Sequence, residues 1–261
     1  MHLIDTHTHL YTEVFDADCD AVIERAKAAG VKQFYLPAID LSYYAQMLAL
    51  EKRYPQQIQL MMGLHPTHVK EDYSTVLAEI ESLFEQRTFA AVGEIGIDLY
   101  WDKTFLSQQQ KAFSYQINWA KKYRLPIVIH CRDAFEEVFE VLETHKGDEL
   151  YGIFHCFTGT EVYAQRAIDL NLKLGIGGVV TFKNGKINKF LHEFDLEHIV
   201  LETDSPYLAP TPFRGKRNES AYLIHVAQAV AECYGISVEQ VAAQTTKNAE
   251  EVFHDFMLSK S

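Results

Sequence analysis

Eight short apolar, β-rich runs separated by stretches of helical periodicity narrow most sharply what this chain can fold into. The runs cover residues 3–8, 33–38, 59–63, 89–95, 126–130, 152–155, 172–177 and 198–203. Helix-like segments span 20–29, 42–53, 73–86, 107–123, 135–145, 162–170 and 187–193, and two more follow at 221–234 and 238–256. In 107–123, Phe113, Ile117 and Ala120 recur at helical spacing, while Gln108, Lys111 and Lys122 supply polar positions. Ser237 with Gln240 three residues on is a capping-box pattern. The strand runs are nearly continuous in apolar residues, as expected of strands covered on both faces. Strand–helix alternation predicts a parallel α/β sheet. Eight repeats in 261 residues fit a TIM (β/α)8 barrel, which needs about 250. The alternative is an open doubly wound sheet, but no glycine-rich dinucleotide fingerprint follows the first run. Without a linker or low-complexity tract, residues 1–261 are expected to form a single domain.

In such a barrel the functional site forms at the C-terminal ends of the strands, so the residue that closes each run matters. The first run ends in His7 and His9. Residues two apart point to one face of a strand, so this pair can grip one metal ion. The third run leads to Gly63-Leu64-His65-Pro66 and the fourth holds Glu94. The fifth ends at His130, the sixth at His155, and the eighth leads into Glu202-Thr203-Asp204. One such histidine alone would be an ordinary core or surface residue. Gathering this many ionisable groups at one barrel mouth would cost heavily in desolvation, a cost that a metal ion offsets. Imidazole with carboxylate suits Zn, Mn, Fe, Co or Ni, whereas Mg usually prefers an all-oxygen shell.

Four histidines, Glu94 and Asp204 are too many donors for one tetrahedral site. They suit two divalent ions (Mg, Mn or Zn) bridged by a carboxylate, and the bridge falls to Glu94 on a central strand. Asp204 is then placed to bind metal and to accept a proton from the attacking water. His65 is expected to donate a hydrogen bond to a substrate oxygen; its alternative is a structural turn histidine, as His68 looks by position. Asp98 and Glu202 are candidates to orient a ligand imidazole or to form simple ion pairs. Tyr207 could stack on a base or simply pack, and Cys131 and Cys156 read as buried small residues.

The segment Arg214-Gly215-Lys216-Arg217 carries three cations in four positions, within a chain whose formal charge is −12. Following Asp204 on a loop over the expected mouth, Arg214 and Lys216 are candidate phosphate-binding residues, and Arg132 can join them. The alternative for Arg132 is an ion pair with Asp133 or Glu136. The overall acidity itself reads as plain solubility. The four cysteines form no C-x-x-C pair, which fits reduced thiols. No signal-peptide pattern and no apolar run near the ~20 residues of a membrane helix is present. A cytoplasmic, monomeric protein with no membrane contact is expected.

Seven motifs together resemble the TatD family of metal-dependent deoxyribonucleases in the amidohydrolase superfamily. They are Ile4-Asp5-Thr6-His7-Thr8-His9-Leu10, Gly63-Leu64-His65-Pro66, Gly93-Glu94-Ile95-Gly96-Ile97-Asp98, Ile129-His130-Cys131-Arg132, His155-Cys156-Phe157-Thr158-Gly159, Glu202-Thr203-Asp204-Ser205-Pro206-Tyr207 and Arg214-Gly215-Lys216-Arg217-Asn218. The resemblance covers nearly the whole chain. It implies that His7, His9, Glu94 and Asp204 hold one metal, that Glu94, His130 and His155 hold a second, and that His65 contacts the scissile phosphate. It also implies a nucleic-acid substrate, single-stranded DNA above all, degraded 3′→5′. One departure is Asn218-Glu219-Ser220 where the family has Asn-Glu-Pro, which should loosen that loop. The fold does not decide the substrate: an ester or amide hydrolase of lactonase or D-aminoacyl-tRNA deacylase type would use the same ligands, and a metal-stabilised binding protein is a third class.

Overall fold

The computed structural model describes residues 1–254. The strands are β1 Leu3–Asp5, β2 Val31–Leu36, β3 Ile58–Leu60, β4 Val92–Asp98, β5 Ile127–Arg132, β6 Gly152–Phe154, β7 Leu172–Ile176 and β8 Ile199–Leu201. Every ladder between them is parallel: β1-β2-β3 in one sheet and β4-β5-β6-β7-β8 in the other. Two parallel bridges close the ring, Met62 to Val92 and Thr8 to Ser205. The result is the expected TIM-type barrel rather than an open doubly wound sheet.

Helices α1 Cys19–Ala28, α2 Tyr44–Arg53, α3 Tyr73–Gln86, α4 Leu106–Tyr123, α5 Phe135–Thr144 and α6 Glu161–Asp169 alternate with the strands. They are followed by α7 Leu223–Tyr234 and α8 Val238–Val252. The stretch 187–193, expected to be helical, instead forms two three-residue 3-10 turns, Ile187–Lys189 and Leu191–Glu193. A seven-residue segment containing Asn188 is too short to offset the cost of nucleating an α-helix. Helix α7 packs against these turns, and α8 covers the seam between β8 and β1. The capping box of α8 is present: Gln240 N–H donates to Ser237 Oγ (3.2 Å) and Ser237 N–H donates to Gln240 Oε1 (3.0 Å). The last two residues of the 238–256 segment lie outside the described residues.

Burial follows the period-two rule of a strand. Outward residues such as Phe34, Leu60, Ile129, Leu174 and Ile199 join the helices in one continuous apolar cluster. Each fully buried side chain of this kind contributes about 1.5–3 kcal/mol. Inward residues Ile4, Tyr35, Met61, Val128, Ile153 and Val200 form a separate cluster inside the ring. Phe253 closes its lower end, stacked on Tyr35 at 3.8 Å. The next inward step along β5, β6 and β8 carries His130, His155 and Glu202, so the barrel interior turns from apolar to ionisable in one layer. Among the described residues, no helix is long and apolar enough to cross a membrane. All four cysteines are free.

Candidate metal centre

On β5, β6 and β8 the two-residue alternation carries an inward residue up to the mouth, whereas counting by twos from the inward Ile4 of β1 reaches Thr6 and Thr8 rather than His7 and His9. Strand β4 departs from the alternation too, since Val92, Ile95 and Ile97 all belong to the outer cluster. Strict alternation from Val92 would send Glu94 outward as well. The register between β4 and β5 shifts between Gly93 and Ile95, and this bulge inserts one residue and re-aims Glu94 into the barrel. Gly93 permits it, because a Cβ there would lie 2.8 Å from Val128 Cβ.

The first histidine pair also lies beyond regular strand, which ends at Asp5. Extended backbone is maintained by Thr8 N–H donating to Tyr35 O (3.1 Å), His9 N–H to Ser205 O (2.8 Å) and Asp204 N–H to His7 O (2.9 Å). That last bond ties the first ligand segment directly to the eighth. Asp204 itself adopts φ +56°, a left-handed conformation that Asp tolerates better than most residues.

His7 Nε2 and His9 Nε2 are 3.3 Å apart. Donor atoms around a tetrahedral ion at zinc-like bond lengths are separated by about the same distance, roughly 3.3 Å. Glu94 Oε2 lies 3.2 Å from His7 Nε2 and 3.9 Å from His9 Nε2. Asp204 Oδ1 lies 3.8 and 3.5 Å from the same two nitrogens. The other carboxylate oxygen, Glu94 Oε1, faces the opposite half of the cluster: 2.9 Å from His130 Nδ1, 3.4 Å from His65 Nε2 and 3.8 Å from His155 Nε2. His155 Nε2 is also 3.8 Å from Asp204 Oδ1. All six sequence-nominated ligands and His65 therefore meet around one carboxylate.

The far nitrogens decide which atoms have free lone pairs. Tyr11 Oη donates to Pro37 O (2.6 Å), so it accepts from His9 Nδ1 (2.8 Å) and leaves His9 Nε2 unprotonated. Asp98 Oδ2 lies 2.9 Å from His130 Nε2, and Glu202 Oε1 lies 2.9 Å from His155 Nδ1. A carboxylate behind the ring is the usual device for orienting a metal-ligating imidazole. His7 Nδ1 has no hydrogen-bond partner among the described residues. His65 is built the other way round. Its Nδ1 accepts from Thr67 N–H (3.2 Å), which leaves the proton on the Nε2 that faces Glu94. That nitrogen is a hydrogen-bond donor rather than a ligand.

Electrostatics match. Burial works against ionising Glu94, but His7, His65, His130 and His155 outweigh it and hold the carboxyl well below the ordinary range. Asp204 is lowered against the same burial by His9, His155 and His7. Burial opposes charge on His155 too, yet Glu202, Glu94 and Asp204 push it up to about 10. Asp98 and Glu94 raise His130 in the same way. Burial lowers His7 and, despite the opposing Glu94 charge, brings His65 down to about 4. The protein's own groups thus balance two carboxylates with imidazolium charge. A divalent cation is the other source of that charge and requires those rings neutral. The donor set fits such an ion.

Above the donors opens a cavity of about 830 Å³, a size typical of ligand sites. Arg132 lies on its wall, with its guanidinium 3.7 Å from the Tyr100 ring centre rather than on Asp133 or Glu136. Glu136 is taken by Arg166. Arg214 and Lys216 are exposed and do not line the cavity; Arg214 sits 4.3 Å over the Phe182 ring. Arg217, the third cation of that segment, pairs with Asp18. His68 contacts Asp40 at 3.1 Å, away from Glu94. The loop's expected looseness is countered by other contacts. Asn218 Nδ2 donates to Thr203 O and Tyr207 O, Glu219 pairs with Arg25, and Ser220 is buried 3.3 Å from Thr8 Oγ1.

Three supporting residues escaped the sequence reading. Tyr11 could have been found by the same two-residue rule that paired His7 with His9. Gln109 and Gln116 on α4 look like polar surface positions, yet both are buried. The Gln109 amide bonds both Asp98 N and Asp98 O, and the Gln116 amide bonds both Leu64 N and Leu64 O. They clamp the backbone beside His130's carboxylate and beside His65.

Comparison with known proteins agrees with this geometry. The uncharacterized metal-dependent hydrolase YabD of Bacillus subtilis (strain 168) is 39% identical over 252 residues, covering 96% of this chain and 98% of its own. The 3′-5′ ssDNA/RNA exonuclease TatD of Pantoea ananatis is 32% identical over 257 residues, covering 96% and 99%. The crystal structure of YjjV, a TatD homolog from Escherichia coli K12, superposes with a TM-score of 0.90 at 29% identity, covering 97% and 98%. A family model described as TatD related DNase matches residues 4–254. The chain belongs to the TatD-related DNase family of metal-dependent hydrolases.

Proposed function

We propose that this protein hydrolyses the phosphodiester bonds of nucleic acid, removing nucleotides from the 3′ end of single-stranded DNA at a centre of two divalent cations. The observation that carries this reading is the split of Glu94, one oxygen facing His7 and His9 and the other facing His130 and His155. His7, His9, Asp204 and Glu94 would hold one ion; Glu94, His130 and His155 would hold the other. Bound there, the pair would stabilise charge on the phosphoryl oxygens and lower the pKa of a water toward neutrality. Asp204, lowered enough to be ionised at neutral pH, accepts the proton that this water loses. His65 donates a hydrogen bond from Nε2–H to a non-bridging phosphate oxygen. Being neutral with a pKa of about 4, it does so across the working pH range. Arg132 binds a phosphate at the cavity wall, and Arg214 and Lys216 engage phosphates further along the strand. The relative named a single-strand exonuclease supports the substrate class.

The test is a 5′-labelled single-stranded oligonucleotide incubated with the protein under titration with Mg, Mn or Zn. The expected result is a ladder shortening from the 3′ end that Glu94→Ala abolishes. Absence of cleavage by folded, metal-loaded protein, alongside turnover of a lactone or an aminoacyl ester, would overturn the reading in favour of carbonyl hydrolysis.

A further inference from the structure

Four of the eight exposed large apolar side chains among the described residues are Tyr100, Trp101, Tyr207 and Leu208. Trp101, Tyr207 and Leu208 line the cavity above the donors, as does Arg132. Exposure this concentrated around one opening marks a binding surface rather than scattered surface apolarity. Trp101 is 70% exposed, with its ring edge-on to Tyr100 at 4.9 Å. Arg132 lies 3.7 Å over Tyr100 and 5.6 Å from the Trp101 ring centre. No ion pair of Arg132 is present among the described residues. An exposed indole beside an aqueous cavity, next to a guanidinium with one face on Tyr100 and no ion pair, is what a nucleobase stacks on.

The platform is mechanically tied to the centre. Asp98 Oδ1 accepts the backbone N–H of Tyr100 (2.9 Å) and of Trp101 (3.3 Å), while its Oδ2 lies 2.9 Å from His130 Nε2. One carboxylate thus fixes both the aromatic loop and a ring of the donor cluster. An apolar protein partner would have no use for that link, nor for a guanidinium without an ion pair.

We propose that Trp101, with Tyr100 and Arg132, is a base-stacking platform that positions a nucleotide of the single-stranded substrate against the centre. The inference rests on the nuclease reading above, and its test separates the two. The chain has two tryptophans, and Trp119 is buried at 2% exposure, so ligand-dependent change in indole fluorescence reports on Trp101. Titration with a single-stranded oligothymidylate of phosphorothioate linkages should quench the emission to saturation. An abasic deoxyribose-phosphate strand of the same length should not. Trp101→Ala should raise KM for an unmodified strand about tenfold with kcat within about twofold, and Trp101→Phe should restore most of the loss. On a strand whose terminal nucleotides lack bases, Trp101→Ala and the parent should give the same KM. Cleavage with no quenching and an unchanged KM for Trp101→Ala would overturn the platform, as would equal quenching by the abasic strand. Quenching without cleavage would overturn the nuclease reading and leave the platform standing.

Discussion

The floor of the barrel mouth and its rim are built by opposite rules. On the floor, His7, His9, Glu94, His130 and His155 are buried or nearly so, and three of the imidazoles have their far nitrogen held by Tyr11, Asp98 or Glu202. On the rim, Trp101, Tyr207 and Arg214 are exposed, on loops whose backbone is tied down by Asp98 and Asn218 while these three side chains face solvent. The difference teaches where each kind of work is done. Charge chemistry needs donors fixed before substrate arrives, which strand ends and backing carboxylates provide. Grip on a long flexible strand needs exposed planes and cations that tolerate many bases.

If this division holds, changes on the floor should act on the chemical step and changes on the rim on substrate capture. The largest effect is expected from Asp204→Asn, which removes the proton acceptor. Single-turnover cleavage of an end-labelled strand should slow by about 10²–10⁴-fold, with KM little changed. Next come the backing groups. Asp98→Asn, Glu202→Gln and Tyr11→Phe should each weaken metal affinity by about 10–100-fold, read by competition with a chromogenic chelator. An unchanged affinity in all three would mean that the rings are oriented by packing alone. The rim should respond more weakly. Arg214→Gln and Lys216→Gln should leave kcat intact and flatten the dependence of log affinity on log salt by about 0.7 for each lost phosphate contact; a lower kcat with an unchanged slope would move them to the floor. The smallest effect concerns the anchor of the rim loop. Arg217 first, then Arg25, hold the Asp18 carboxyl down to about 2. Because this pKa is depressed, the pair stabilises above the unfolded value near 3.8 and the contribution is lost as pH falls through about 2. It is solvent-screened and should amount to less than about 1 kcal/mol. Thermal melts of the parent and Asp18→Asn should differ slightly at neutral pH and converge in acid.

Much of the floor was readable in advance because metal-ligating side chains have few other reasons to recur at strand ends. His130 and His155 close apolar runs, and the barrel follows from eight such runs in one chain. The rim was less readable. Arg214, Lys216 and Arg217 look alike in sequence, yet Arg217 is taken by Asp18, Arg214 lies on Phe182, and neither Arg214 nor Lys216 reaches the cavity wall. The pattern at 187–193 suggests a helix where the structure has two short 3-10 turns, because amphipathicity does not reveal whether a segment is long enough to nucleate.

By itself, the sequence determined the barrel and the inventory of donors, since hydrophobic periodicity and ligand chemistry are local properties. Tertiary structure alone decided which way the central carboxylate points. On β4 the two-residue period directs Glu94 away from the barrel with Val92. Its inward aim depends on a bulge held by Gly93 N–H to Met62 O, Glu94 N–H to Ala38 O and the shifted register against β5. Those partners come from β5 and from the segments that follow β2 and β3, and a period of two residues carries no information about them.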